Sequence, residues 1–187
     1  MNETIKTILQ RRSVRAFAQE QFPDADLDLI LQAARFAPTS RNTQMWRFTA
    51  LRQREAIDRL TQEAKAATGR MEVNRYKELV GQKTYTVNFG APTFVIATVH
   101  RTNSSSPAAD VALALGNMML AAHSLGLGSC WINQLNVLNE EPGFRMHLTS
   151  LDIPPEHDIH GCLTIGIPAK GYPDASPRRE GVINILG

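Results

Sequence analysis

With 187 residues, 43% of them hydrophobic, the chain is long enough to bury one sizeable core, and nothing in its composition divides it in two. Its formal charge of +2 and pI near 8.7 are mildly basic, and the arginines gather at Arg11, Arg12 and Arg15 and again at Arg178 and Arg179. That clustering suits a small anionic ligand and argues against nucleic acid, which calls for a longer basic stripe with aromatic platforms. Cys130 and Cys162 lie in apolar runs without CxxC spacing, as buried thiols do. The opening MNETIKTILQRRS lacks the apolar core of a signal peptide, and no apolar run is long and clean enough to span a bilayer, so a cytoplasmic location is expected.

In chain order, Ile5, Ile8 and Leu9 at helical spacing predict a short amphipathic helix over residues 4–10, capped by Asn2 or Thr4 and delivering Arg11 and Arg12 at its C-terminal end. Arginines there are accounted for by the helix dipole, but Arg11, Ser13 and Arg15 also alternate along an extended RRSVRAF and can point one way as an anion site; spacing leaves both readings open. A second amphipathic helix is predicted over residues 26–37, with Leu27, Ile30, Leu31, Ala34 and Phe36 on its apolar face and Pro38 as its stop. The loop PTSRNTQMW follows. Its short polar side chains can satisfy the loop's own backbone, or they can form a hydrogen-bonding platform for a planar heterocycle.

After a strand at WRFTAL, residues 54–68 read as a helix with Ile57 and Leu60 inward, and residues 69–88, with Lys77, Lys83 and Tyr85, read as a lid more than as core. TFVIATV is a buried strand introduced by the turn Gly90-Ala91-Pro92. The stretch from Ala108 to Leu125 is apolar on all sides except a seam of Asp110, Asn117 and Ser124, seven apart, and predicts a central helix whose full burial needs a second subunit. Residues 129–132 form a strand ending at Asn133-Gln134, where a ligand can meet backbone amides. A short helix near Phe144 to Leu148 and a strand over residues 158–165 complete the core. His157 and His160 lack a third ligand, so no metal is expected. The terminal VINIL run is expected to act as an interface arm, within an arm spanning residues 169–187.

The ordered set RRSVRAF, APTSRNTQMWRF, a GAP turn before a strand, DVALALGNMMLAAHSLGLGSCWI, GIP and a terminal PRR resembles the FMN-dependent nitroreductase family over almost the whole chain. The resemblance implies one α+β domain over residues 1–187, a mixed sheet surrounded by helices, built as an intertwined homodimer with FMN at two interface sites and a lid near residues 54–88. It places Arg11, Arg12, Ser13 and Arg15 on the flavin, Arg178 and Arg179 at its phosphate, and Thr39, Ser40, Asn42 and Gln44 on a loop reaching the flavin of the other subunit. Asn133 and Gln134 would lie at N5, where the best-known members carry an acidic residue and a glycine, and Lys83 is the candidate donor from the lid. It further implies hydride transfer from NADH or NADPH through flavin N5 to nitroaromatics, quinones or similar planar acceptors, with no catalytic side chain beyond the flavin. Other flavin chemistry on the same fold, such as dehalogenation or flavin fragmentation, and flavin binding without turnover are the alternatives.

Overall fold

The computed structural model describes residues 1–72, 75–102 and 104–186. Residues 73 and 74 of the expected lid, residue 103 of the linker before the central helix and residue 187 of the arm lie outside the described residues.

Four strands, β1 (Trp46–Leu51), β2 (Thr93–His100), β3 (Gly128–Ile132) and β4 (His157–Gly166), form one sheet in the order β1-β2-β4-β3. Every strand pair is antiparallel. Among the described residues the parallel component expected of a mixed sheet is confined to two isolated bridges, Ser13 with Ser129 and Ala169 with Gly171. Strand β2 reads as an unbroken apolar run because both of its faces are covered, as a central strand requires. Phe94 and Ile96 face one core with Ile57, Leu60 and Phe144, while Val95, Ala97 and Val99 face another with Ile30, Leu115 and Met118. A β-bulge between Ala97 and Thr98 breaks the alternation on β4, so Ile159 and Cys162, three apart, share the first core.

The first core is roofed by α3 (Arg54–Arg70) and α6 (Pro142–Ser150), the second by α2 (Asp24–Arg35) and α5 (Pro107–Ser124). Helix α1 (Glu3–Gln10) is capped by Asn2, whose side chain accepts from Ile5 N at 3.0 Å. Helix α2 starts and stops two residues earlier than the spacing suggests. Phe36, expected on its apolar face, instead follows the last turn and is 79% exposed. The stretch expected as a lid is divided: α4 (Lys77–Gly81) lies on the surface, whereas Tyr85 and Val87 are buried in the first core and Asn88 is also buried.

The central helix is not fully covered by its own chain. Val111, Ala114, Leu115, Met118 and Ala122 are buried, but Leu113 is 48% exposed and a side chain at Gly116 would meet nothing within 4 Å. The polar seam has a structural use, because Asn117 Nδ2 donates to Ala33 O at 3.0 Å and Asp110 ties down the loop after α2. The apolar residues of α1 and of the tail, Ile5, Ile8, Leu9, Val182, Ile183, Ile185 and Leu186, are all exposed in the single chain.

Helices α3 and α6 are joined at the surface by a two-pronged ion pair. Arg70 Nε and Nη2 donate to Glu141 Oε1 and Oε2 at 2.8 and 2.9 Å, and Phe144 N donates to the same carboxylate at 2.6 Å. Arg70 first, helped by backbone N–H donors, holds the Glu141 carboxyl down to about 2 from an ordinary 4.5. A depressed folded-state value adds stability that is fully present above the unfolded value and lost as pH falls through the folded one. The wild-type protein is therefore expected to lose this contribution between about pH 4.5 and pH 2. Urea midpoints across that range should fall less steeply for Glu141→Gln, and parallel curves for the two proteins would show the pair contributes nothing.

Candidate functional site

The site begins with an attachment of backbone to backbone. After α1 the chain runs extended, and Val14 N donates to Ser129 O at 3.0 Å, so residues 13–17 lie along the open edge of β3. Ala18 N donates to Ile167 O and Ala169 N to Ala16 O, which fastens the other end beside the exit of β4. Approach is close enough to require glycine. A Cβ on Gly128 would sit 2.8 Å from the Val14 side chain, and one on Gly166 would sit 2.6 Å from Pro92 and 3.1 Å from Phe17. With Val14 and Phe17 buried, Ser13 and Arg15 are turned to the outer side.

That outer side carries a cavity of about 310 Å³ lined by Arg11, Arg12, Ser13, Arg15, Asp174, Ser176 and Arg178. The two arginines after α1 divide the work. Arg12 Nη1 donates to Leu9 O and Arg11 O, both at 2.7 Å, capping the helix as the dipole argument anticipates. Arg11 Nη1 and Arg12 Nε are buried with no hydrogen-bond partner among the described residues. Both residues line the cavity, and guanidinium groups there have a natural complement in an oxyanion, which accepts two donors from each fork. His123, behind the cavity, registers the same field: burial lowers its pKa, and the charges of Arg11 and Arg12 lower it further. Its ring meets Tyr172 edge-on with centroids 4.6 Å apart, and Tyr172 Oη donates to Leu127 O at 3.1 Å. This contact fixes the root of the C-terminal segment that brings Asp174, Ser176 and Arg178 across the opening.

Arg15 also lines three further cavities, two of which have aromatic walls. One, of about 180 Å³ at the end of β3, is walled by Tyr76, Phe89, Cys130, Trp131, Ile132, Asn133 and Gln134. The other, of about 400 Å³ beside α4, is walled by Leu79, Gln82, Thr84, Tyr85, Thr86, Phe89 and Gly90. An anion pocket thus opens, past one guanidinium, onto two pockets with aromatic walls. Burial pushes the Cys130 thiol up, while the charge of Arg15 and a hydrogen bond from Ser13 pull the other way. Gln134 Nε2 donates to Tyr85 Oη, whose own pKa is raised by burial. Tyr85, Phe89 and Tyr76 were not singled out as site residues from sequence, since nothing periodic marks them.

Of the residues predicted from sequence, Arg11, Arg12, Ser13, Arg15, Arg178, Asn133 and Gln134 line these cavities, which share Arg15. Arg179 and Lys83 are exposed and line none of them. Thr39, Ser40, Asn42 and Gln44 also line none of them and lie at the N-terminal end of α5. There the buried Asp110 carboxylate accepts from Ser40 N at 2.9 Å and from Ser104 Oγ at 2.7 Å, and Ser40 Oγ contacts Ser105 Oγ at 2.6 Å. Gln44 N donates to Thr39 Oγ1 at 3.1 Å, and Gln44 Nε2 to Asn42 Oδ1 at 2.8 Å. The loop stores strain: Arg41, Asn42 and Gln44 all have φ near +50°, each a conformation costing on the order of 1 kcal/mol or more outside glycine. Among the described residues no group of His, Cys, Asp and Glu could hold a metal ion, and no helix is long and apolar enough to cross a membrane.

Comparison with known proteins bears on this arrangement. A model of the nitroreductase family matches residues 8–167. A crystal structure of a nitroreductase with bound FMN from Bacteroides fragilis is 36% identical and superposes with a TM-score of 0.94 over 100% of both chains. A protein of Archaeoglobus fulgidus with the provisional name NADH dehydrogenase/NAD(P)H nitroreductase is 30% identical over 90% of this chain and 87% of its own. An iodotyrosine deiodinase of Thermotoga neapolitana is 26% identical over 93% of this chain and 92% of its own.

Asp110 is the anchor of the strained loop, so Asp110→Ala is expected to orphan Ser40 N and to lower stability by about 1–3 kcal/mol. Chemical denaturation measures the loss, and amide exchange should quicken over residues 39–44 before elsewhere. Unchanged exchange there would remove the anchoring role.

Proposed function

The chain belongs to the nitroreductase family, and from that premise we propose an FMN- and NAD(P)H-dependent oxidoreductase that passes hydride to nitroaromatics, quinones or similar planar acceptors. The observation that carries the reading is the junction at Arg15, where a pocket lined by four arginines with two orphaned donors meets pockets walled by aromatic rings. The residues present fit the cofactor: a doubly charged phosphate suits the unpaired guanidinium atoms, and a planar ring suits the end of β3. FMN, when bound, supplies the two-electron chemistry between nicotinamide and acceptor.

The chain's own residues bind and orient. Arg11 and Arg178 hold the phosphate, with Arg12 braced on α1 and Ser13 beside it. Arg15 sets positive charge at the junction and favours negative charge on a ring lodged there; a charge-assisted hydrogen bond of this kind is worth about 1.5–3 kcal/mol. Asn133 and Gln134 present the backbone at the end of β3 to the ring edge. The walls of the β3-end cavity carry no carboxylate and no histidine among the described residues, and burial weakens the Cys130 thiol as an acid, so proton transfer is not asked of them.

The active unit is a homodimer. Helix α5 leaves Leu113 and Gly116 open, α1 leaves Ile5, Ile8 and Leu9 open, and the arm ends in an uncovered VINIL run. Thr39, Ser40, Asn42 and Gln44, remote from the anion pocket of their own chain, serve the cofactor of the other protomer. Lys83 and Arg179 are peripheral candidates.

The purified protein is expected to be yellow, to bleach on anaerobic addition of NADH or NADPH, and to regain its band when a nitroaromatic or quinone is added. Arg11→Ala should weaken FMN binding by about ten- to a hundredfold in a fluorescence titration. A colourless protein that takes up no added FMN overturns the reading. Separately, Leu113→Glu should convert the dimer to monomer in sedimentation velocity and release flavin with it; a dimer that persists with this variant places the interface elsewhere.

A further inference from the structure

Phe89 stands out among the residues around the site. It is a bulky residue with φ of +53°, followed by Gly90 at +72°, and it is 41% exposed although Asn88 and Ala91 nearby in the chain are buried. Glycine, asparagine or aspartate would adopt this backbone more readily. The turn is nevertheless held firmly. Gly90 N donates to Thr86 Oγ1 at 3.1 Å and to Asn88 Oδ1 at 3.3 Å, and the buried Asn88 donates from Nδ2 to Ala91 O at 2.5 Å. From outside, Gln19 Nε2 donates to Gly90 O at 3.2 Å and is itself gripped by Arg54 through Gln19 Oε1 at 2.6 Å.

This bracing aims the ring at one group. The Arg15 guanidinium carbon lies 5.9 Å from the Phe89 ring centroid, within cation–π range. Arg15 is otherwise an exposed side chain on an extended segment, with the Cys130 thiol as a hydrogen-bonding neighbour, and long exposed side chains lose rotamer freedom when held in one place. Phe89 also walls both aromatic-lined cavities that Arg15 shares, so it stands at their common partition. We infer that Phe89 is a positioning residue for Arg15: its strained turn places an aromatic face that keeps the guanidinium extended at the junction of the anion pocket and the ring pocket, ready for the cofactor. Its effect on the cofactor rests on the flavin reading above; the contact itself does not.

The test separates the two. In ligand-free protein labelled at arginine side chains with nitrogen-15, the Arg15 Nε–Hε resonance is expected to move in Phe89→Leu and to return towards its wild-type position in Phe89→Tyr. A resonance unmoved by Phe89→Leu overturns the positioning role whatever flavin does. In FMN titrations of the apoprotein, Phe89→Leu should lose about two- to fivefold in affinity, the value of one cation–π contact at a partly exposed site. Phe89→Tyr should recover it, and Arg15→Ala and the Arg15→Ala/Phe89→Leu double variant should bind alike, because the two residues act through one interaction. Equal losses from Phe89→Leu with and without Arg15 would assign Phe89 a direct or merely structural role and overturn the inference. If wild-type apoprotein binds no FMN, the functional reading fails, and the resonance still decides whether Phe89 holds Arg15.

Discussion

The bond from Val14 N to Ser129 O fixes the geometry on which the rest of the site depends. It lays an arginine-bearing segment along the edge of β3, the same strand that leads into Asn133 and Gln134, so an anion pocket and the end of a strand are placed in one frame. Burial of Val14 on one side forces Arg15 and Ser13 to the other, and the missing side chains of Gly128 and Gly166 let the segment come that near. A single residue's slip along β3 would exchange the buried valine for a guanidinium. Register is therefore enforced by the cost of burying charge more than by the few hydrogen bonds that carry it.

What was legible in the sequence followed from local periodicity. TFVIATV reads as a two-sided strand because it is one, and the alternation of RRSVRAF placed Arg11, Ser13 and Arg15 on a shared face. What was not legible is decided by tertiary packing. Tyr85 and Val87 occupy a stretch with no apolar period, yet they fill the core between α3 and β2; the partner that buries them lies far away in sequence. Phe36 looked inward on a helical wheel but falls after the helix has ended. The conformation of Phe89 leaves no compositional trace, since phenylalanine before glycine is equally at home in an ordinary turn. The central helix reads as apolar on every side but a narrow polar seam and is so, and its own chain leaves Leu113 half exposed.

The polar seam of that helix shows how few polar groups such an element carries and where they go. Asp110 meets Ser40 N, and Asn117 meets Ala33 O, so both groups serve main-chain atoms where α2 gives way to a strained turn. A loop with three left-handed residues persists because a buried carboxylate overdetermines it. The same logic recurs at residues 86–91, where the side chain of Asn88 braces a strained aromatic residue. Both strained turns lie in the first half of the chain.

Gathering four guanidinium groups about one pocket sets their mutual repulsion against the fold, with Asp174 as the carboxylate in the lining to offset them. The pKa of His123 is lowered first by burial and then by the same field, since a third positive charge is disfavoured beside Arg11 and Arg12. The fold tolerates this because Arg12 is tied to helix carbonyls, and because the C-terminal segment carrying Arg178 is rooted at Tyr172 and not along its whole length. An anion in the pocket relieves the repulsion and satisfies the orphaned donors at once, so binding and stability are linked: any ligand that favours the native state adds RT ln(1 + [L]/Kd) to it. The arginines whose charges repel one another in that pocket are the same ones proposed to hold the phosphate, so one set of residues carries both effects.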